Sequence, residues 1–199
     1  MAGPSNIIKP GFSQCSAIYY GSLPIAQVYK GGTLIWEKTS GGVWNTIDGA
    51  SYAYFYAYTP ASNINVASFA LKMSDVNMGY STNWMYGIYT LSGTTATPVT
   101  GACSFGNWIG VSFVSQGTYL DKTMYLVSKS YSEGSRPSLT SGTTYYFVLG
   151  ERYSAPSPYY VLSGNRTAKY TDGWRMSDSG TFDVVYDSSD TFYMEVIAE

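Results

Sequence analysis

The residues that most often carry acid–base chemistry are scarce in this sequence. Its 199 residues include no histidine, which excludes Ser-His-Asp and Cys-His catalysis and any zinc site with an imidazole ligand. Acid–base work would fall to carboxylates, because two of them can flank and hydrolyse a glycosidic bond. Four candidates lie close together in sequence: Asp178, Asp183, Asp187 and Asp190. All four stand among Ser, Gly and Thr, where Asp typically caps turns, so the sequence predicts a protein that is not an enzyme.

The same acidic run offers oxygen ligands for a hard cation. Residues 183–190 (DVVYDSSD) contain carboxylates and hydroxyls, which are ligands that Ca²⁺ accepts. The run lacks the alternating ligand positions of a dedicated calcium loop, and Asp75-Val76-Asn77 gives a weaker version of the pattern. We therefore expect no metal site and no cofactor, with a bound Ca²⁺ as the alternative.

Aromatic side chains give a second chemical signal. Tyr occurs 21 times and aromatic residues make up 17% of the chain, and flat rings can stack on the apolar face of a sugar. Six rings in or beside predicted loops form a candidate glycan-binding set: Trp84, Trp108, Tyr153, Tyr159, Tyr160 and Trp174. Polar groups for the edge of a sugar would come from Arg152, Asn165, Arg166, Asp172 and Arg175. The alternative is that these rings fill the core or cover neighbouring proteins.

The charge of the chain limits its partners. Only 12% of the residues are charged and the net charge is -2, so no basic field attracts phosphates and nucleic acid is excluded as a partner. Ser, Thr, Gly, Asn and Tyr must cover the surface instead, which suits contact with protein or sugar. Cys15 and Cys103 are too far apart in sequence for a disulfide framework or a metal-site spacing, so we expect small buried thiols.

The chain shows no targeting or membrane signal. No window is long and apolar enough for a membrane span, and the first residues, MAGPSN, lack both a positive and an apolar region of a signal peptide. We therefore expect synthesis in a cytoplasm and no contact with a membrane.

A short internal repeat marks the N-terminal segment. Residues 17–25 (AIYYGSLPI) align with residues 27–35 (QVYKGGTLI) at an offset of ten. Each unit runs from β-branched or aromatic residues into a Gly-centred turn and out again, which predicts a β-hairpin. Because an isolated hairpin is marginally stable, we expect these two to pack on the following domain or on a partner. The residues predicted to dock are Tyr19, Tyr20, Tyr29, Leu34, Ile35 and Trp36.

The remainder of the chain predicts strand after strand. Residues 39–42 (TSGG) indicate a hinge, and beyond them strand patterns alternate with Gly, Ser, Asn, Asp and Pro clusters. We predict an all-β fold: an anchoring hairpin segment over residues 1–42, then an antiparallel, jelly-roll-like β-sandwich over residues 43–199. The predicted strands are 52–58, 65–73, 84–91, 108–114, 119–127, 144–151, 159–162, 181–186 and 192–197.

Two stretches resemble proteins of tailed-bacteriophage particles. Residues 18–21 (IYYG) and 25–36 (IAQVYKGGTLIW) are similar to a hairpin segment that recurs in tandem in minor tail, fibre and head-associated proteins. Residues 52–197 are similar in their order of features to jelly-roll-like modules of phage fibre and bacterial surface proteins, with residues 139–149 (LTSGTTYYFVL) beginning a central strand. The resemblance implies a virion structural protein, such as a head decoration, head-fibre or tail-associated subunit, and transfers no catalytic residue.

The partners follow from this resemblance and from the aromatic set. The resemblance implies contact with other virion proteins, in a homo-oligomer or a many-copy assembly, and location in the virion. The alternative function, from the aromatic set alone, is a lectin-like module that binds a host surface glycan.

Overall fold

The structure, a computed structural model, consists of strands, a short 3-10 helix (Glu133–Ser135) and the loops that join them. It describes residues 18–20, 23–25, 27–30, 33–37, 42–47, 52–76, 83–107, 110–152, 159–172, 182–183 and 186–199. These residues contain no α-helix, and every strand pair among them is antiparallel. The predicted all-β class is confirmed. The chain divides into two compact units, Met1–Gly42 and Val43–Glu199, and each is described by itself.

The first unit contains two separate hairpins. Strand β1 (Ile18–Tyr20) pairs with β2 (Leu23–Ile25), and β3 (Gln27–Lys30) pairs with β4 (Thr33–Glu37). The pairings of Tyr20 with Leu23 and of Lys30 with Thr33 leave two residues for each connection, the length typical of hairpins with Gly-containing turns. The ten-residue repeat therefore corresponds to one two-stranded sheet per repeat.

The second unit is a sandwich of two antiparallel sheets. The strands of the first sheet are β6 (Tyr52–Tyr58), β8 (Asn83–Ser92), β9 (Thr95–Pro98), β10 (Ser104–Asn107), β14 (Tyr145–Arg152), β16 (Arg166–Asp172), β17 (Phe182–Asp183) and β18 (Tyr186–Phe192). Their order is β17-β9-β8-β14-β6-β16-β18, with β10 also on β8. The strands of the second sheet are β5 (Trp44–Ile47), β7 (Ile64–Ser74), β11 (Val111–Tyr119), β12 (Lys122–Ser130), β13 (Ser138–Leu139), β15 (Tyr159–Leu162) and β19 (Met194–Ala198). Their order is β11-β12-β7-β15-β5, with β13 and β19 also on β7.

The main core lies between the two sheets. Strand β7 turns Phe69, Leu71 and Met73 into it, and each is at most 1% exposed, as the period-two alternation of that stretch predicts. Strand β14 contributes Phe147 from the other sheet, and its ring meets that of Phe69 edge-on with centroids 5.0 Å apart. Such edge-to-face pairs add to the hydrophobic stabilisation that burial itself supplies.

A second buried cluster lies on the other face of strands β6, β8 and β14. Its members are Ala53, Phe55, Met85, Tyr89, Ala96 and Val148, all at most 1% exposed. These strands are therefore apolar on both faces, which explains why the run YAYFYAY shows no polar alternation. Gly87 leaves room here for Tyr89, because a Cβ at position 87 would lie 2.5 Å from a ring carbon of Tyr89 and 2.9 Å from Sγ of Cys103.

Several predicted strands are displaced or incomplete. The strand predicted over 119–127 begins at Lys122, because Leu120 and Asp121 form a two-residue turn with φ of 46° and 64°. Leu-Asp is not a sequence that favours positive φ, so nothing in the pattern indicated it. The strand predicted over 108–114 runs instead from Val111 to Tyr119, with residues 108–109 outside the described residues. Strands β5, β9, β10, β13 and β16 have no counterpart in the prediction.

Candidate functional site

The six predicted docking residues lie on the strands of the two hairpins. Tyr19 and Tyr20 are on β1, Tyr29 is on β3, and Leu34, Ile35 and Trp36 are on β4. Tyr29 stands opposite Leu34 in the register of the second hairpin. No third strand pairs with either hairpin among the residues that the structure describes.

The predicted glycan-binding rings do not form one surface. Trp84 is 4% exposed and Tyr159 is 1% exposed, and both belong to the main core. Their assignment to a ligand surface is wrong, because a ring packed between two sheets cannot stack on a sugar. Trp108, Tyr153 and Trp174 lie outside the described residues. Tyr160 alternates with buried Tyr159 and is half-buried on the outer face of the second sheet.

Two of the polar groups predicted for the edge of a sugar connect strands instead. Asn165 accepts a hydrogen bond from Met194 N–H at 3.1 Å, and the guanidinium of Arg166 lies 4.9 Å from the ring centre of Tyr58. Arg152 ends β14 and Asp172 ends β16, with no side-chain position described, and Arg175 lies outside the described residues.

Of the carboxylates considered for catalysis or calcium, three are on strands, whereas Asp75 follows β7 with φ of 55°. Asp183 is in β17, and Asp187 and Asp190 are in β18, so their predicted position as turn caps is wrong. Asp178 lies outside the described residues. Within the described ranges no three His, Cys, Asp or Glu side chains come close enough to hold a metal ion.

The structure brings together a different set of residues, at the start of the sandwich. Val43 N donates to Ser163 Oγ at 2.8 Å, and Ser163 N donates to Val43 O at 2.9 Å. The next residue, Trp44, donates from its indole Nε1 to Tyr119 O at 3.0 Å. The rings of Trp44 and Tyr119 meet edge-on with centroids 6.1 Å apart. We call Val43, Trp44, Tyr119 and Ser163 the junction clamp.

A bend in the β11–β12 hairpin makes the clamp geometry. Strand β11 is at one edge of its sheet and β5 is at the other, yet Tyr119 of β11 reaches Trp44 of β5. A bulge between Ser115 and Thr118, with Gly117 at φ 84°, interrupts the register with β12, and a bulge of this kind bends and twists its strand. The tip of the hairpin therefore crosses the outer face of the sheet and covers β15 and β5.

Lys122 makes a second set of contacts between the tip of the β11–β12 hairpin and the residues beneath it. Its Nζ lies 2.7 Å from Asp75 Oδ2 and 3.8 Å from the ring centre of Tyr160. The hydrogen bond to Asp75 raises the pKa of the Lys122 ammonium, and the charge of the Asp75 carboxylate acts in the same direction. Under the tip, Leu162 stands opposite Trp44 and is 1% exposed, although it belongs to neither core cluster. The hairpin tip thus seals a small apolar patch beside the point where the chain enters the sandwich.

The sequence predicts that both cysteine thiols are buried. Cys103 is a free thiol, half-buried between the two core clusters, with Sγ 3.5 Å from Ile88 O. Burial is the main cause that raises its pKa, so the thiol form dominates at neutral pH. Cys15 lies outside the described residues.

The chain matches no known protein family, no curated protein and no solved structure. None of the described residues forms a helix long and apolar enough to cross a membrane.

Proposed function

We propose that this protein is a non-enzymatic structural subunit of a phage particle, a head decoration, head-fibre or tail-associated protein. Its hairpins dock to other virion proteins and its sandwich is displayed. The observation that carries the proposal is that the ten-residue repeat forms two separate two-stranded sheets in a compact unit of their own. This agrees with the resemblance of that repeat to the tandem hairpins of phage tail, fibre and head proteins.

Open hairpin edges give docking a physical basis. Two strands alone bury too little apolar surface for independent stability, and unpaired N–H and C=O groups can complete the sheet of a neighbour. A partner that supplies a strand would satisfy both requirements. Because the hairpins repeat, such a partner could be engaged twice, which raises the overall affinity without new kinds of contact.

The junction clamp supports the display of the sandwich. If the hairpins are bound to the particle, any mechanical force on the sandwich is transmitted through residues 42–44. Val43 is tied to Ser163 by two hydrogen bonds, one to the Ser163 hydroxyl and one between main chains, and Trp44 is tied to the β11–β12 hairpin. These hydrogen bonds hold β5, the first strand of the sandwich, on two sides. The force is therefore distributed over the domain instead of separating β5 from the edge of its sheet.

Particle incorporation of full-length variants tests the proposal. In the docking variant, Tyr19, Tyr29 and Trp36 are all changed to Ser. In the control variant, Tyr52, Val114 and Ile197, which are 40%, 50% and 52% exposed on the sandwich, are changed to Ser. Each gene replaces the parent gene in a phage that carries it, and the copy number per purified particle is measured by quantitative mass spectrometry.

We expect the docking variant to be folded but absent from particles and the control variant to be present at the parental copy number. Incorporation of the docking variant at the parental copy number would show that the hairpins do not dock. Absence of the parent protein itself from purified particles would overturn the virion assignment.

A further inference from the structure

We propose that the sandwich binds a single neutral sugar residue in a polar cleft formed where β7 and β13 begin their pairing. The cleft has a volume of about 280 Å³ and is lined by residues 63–65, residues 138–140 and Glu199. It shares no lining residue with the junction clamp or with the aromatic set, and it does not depend on the docking role of the hairpins.

Three segments of chain build the walls of the cleft. Asn65 pairs with Ser138 and Ile64 with Leu139 across β7 and β13. Glu199 closes a third side, because its N–H donates to Asn65 O at 3.1 Å. Main-chain hydrogen bonds thus fix the spacing of all three segments.

The neighbouring loop is held just as firmly. Ser141 N donates to Asn63 Oδ1 and Ser141 Oγ donates to Ala61 O, both at 2.9 Å. Gly142 N donates to Pro60 O at 2.9 Å, and Gly142 has φ of 74°, a conformation that glycine adopts without strain. The cleft is therefore preformed, which lowers the entropic cost of binding.

The hydrogen bonds within the cleft determine what it offers a ligand. Oδ1 of Asn63 accepts the N–H of Ser141, and Oδ1 of Asn65 accepts the hydroxyl of Ser138 at 2.7 Å. Both carboxamide oxygens are thus engaged, while each Nδ2 keeps two N–H donors. Glu199 uses Oε2 in its ion pair with Arg136 at 2.8 Å, which leaves Oε1 as an acceptor. The cleft therefore combines fixed donors with a fixed acceptor, and sugar hydroxyls, which both donate and accept, can match these groups.

The lining disfavours other ligand classes. Glu199 is paired with Arg136, so the lining has no free positive charge for an anion, and among the described residues no three His, Cys, Asp or Glu side chains come together to hold a cation. Half-buried Ile64 supplies apolar contact in place of a ring. The volume is just below the roughly 300 to 1,000 Å³ of pockets for drug-sized ligands. One monosaccharide unit, either free or at the end of a chain, fits these limits.

Two isosteric variants test the cleft in the full-length protein. Asn63→Asp and Asn65→Asp each keep the oxygen that Ser141 or Ser138 requires but remove the two N–H donors. The control is Gln116→Glu, the same chemical change at an exposed position of β11. Binding is measured on an array of immobilised neutral oligosaccharides and, in solution, by titration with free glucose, galactose, mannose, N-acetylglucosamine and N-acetylgalactosamine.

We expect the parent and the control to bind at least one of these sugars, and each Asn→Asp variant to bind it at least tenfold more weakly, the effect of losing one or two hydrogen bonds. Binding on the array alone would identify a glycan chain as the ligand, and binding in both formats a free sugar. Because the ligand is neutral, we also expect the affinity to be the same at 50 mM and 500 mM salt.

Absence of binding by the parent in both formats overturns the proposal. It also fails if both Asn→Asp variants bind as the control does. Melting temperatures accompany every titration, and a variant that melts well below the control is replaced by Thr140→Val, which removes a lining hydroxyl. Unchanged binding by that variant and by the remaining Asn→Asp variant would then count against the cleft. Because purified protein is used, the result is independent of particle incorporation.

Discussion

Removal of the Trp44 side chain should loosen the point where the chain enters the sandwich. Trp44 is half-buried, and changing a fully buried aromatic residue to Ala costs about 3–5 kcal/mol, so the packing loss in Trp44→Ala is about 2 kcal/mol. The lost hydrogen bond to Tyr119 O adds about 1 kcal/mol. The total of about 3 kcal/mol corresponds to a fall of about 6–12 °C in melting temperature. Trp44→Phe keeps a ring and should lose only about 1 kcal/mol, for the hydrogen bond.

Chemical denaturation followed by far-ultraviolet circular dichroism measures these losses. Tyr119→Ala and the double variant complete a cycle, in which the ring pair should give a coupling of about 0.5–1.5 kcal/mol. Val114→Ala, at a half-exposed position of the same hairpin, is the control and should stay within about 0.5 kcal/mol of the parent. A loss below about 0.5 kcal/mol for Trp44→Ala, or a coupling of zero, would refute the clamp.

Three other changes test different parts of the fold. Leu120→Asn with Asp121→Gly places residues that favour positive φ in the turn where φ is 46° and 64°, and we expect a gain of about 1 kcal/mol in the free energy of unfolding. Gly87→Ala should cost about 1–3 kcal/mol, because its Cβ would lie 2.5 Å from the Tyr89 ring, whereas Gly134→Ala, with no atom within 4 Å, should be nearly neutral. Tyr56→Phe should stabilise the protein by about 1 kcal/mol, because the Tyr56 hydroxyl is buried without a hydrogen-bond partner among the described residues. Burial also raises the pKa of Tyr56 above its usual range. The unfolded chain therefore releases this proton near pH 10 while the folded chain retains it, so the free energy of unfolding falls above about pH 10. We expect a less steep fall in Tyr56→Phe, measured by denaturation at several pH values.

The central strands could be predicted from sequence because their patterns are strong. Residues 52–58 and 159–162 are rich in aromatic and β-branched residues, and the structure has strands over the same bounds. Strand β5 was missed because WNTI is too short and polar to stand out, and β16 because RTAKYTD has no apolar face. Its partners β6 and β18, and not its own propensity, make it a strand.

The junction clamp could not be predicted, because its contacts join distant parts of the chain. Trp44 and Tyr119 are 75 residues apart, and their contact depends on a turn at Leu120-Asp121 that has no sequence signal. For Trp84 a signal did exist. Trp84, Tyr86 and Ile88 alternate in a single strand, and this period places Trp84 beside Ile88, which is fully buried, instead of on a loop.

The two-faced burial of β6, β8 and β14 also affects how the sandwich folds. In most antiparallel sheets a slip of one residue exposes the apolar face to water, so mispairing is rejected by solvation. Here a slipped strand would still bury an apolar face on either side. The correct register must instead be selected by steric fit, and the space over Gly87 that Tyr89 fills is one place where only the correct register fits. Steric fit distinguishes one register from another only when the side chains are closely packed. Forms with a mispaired strand should therefore persist late in folding and rearrange only when the two sheets pack together.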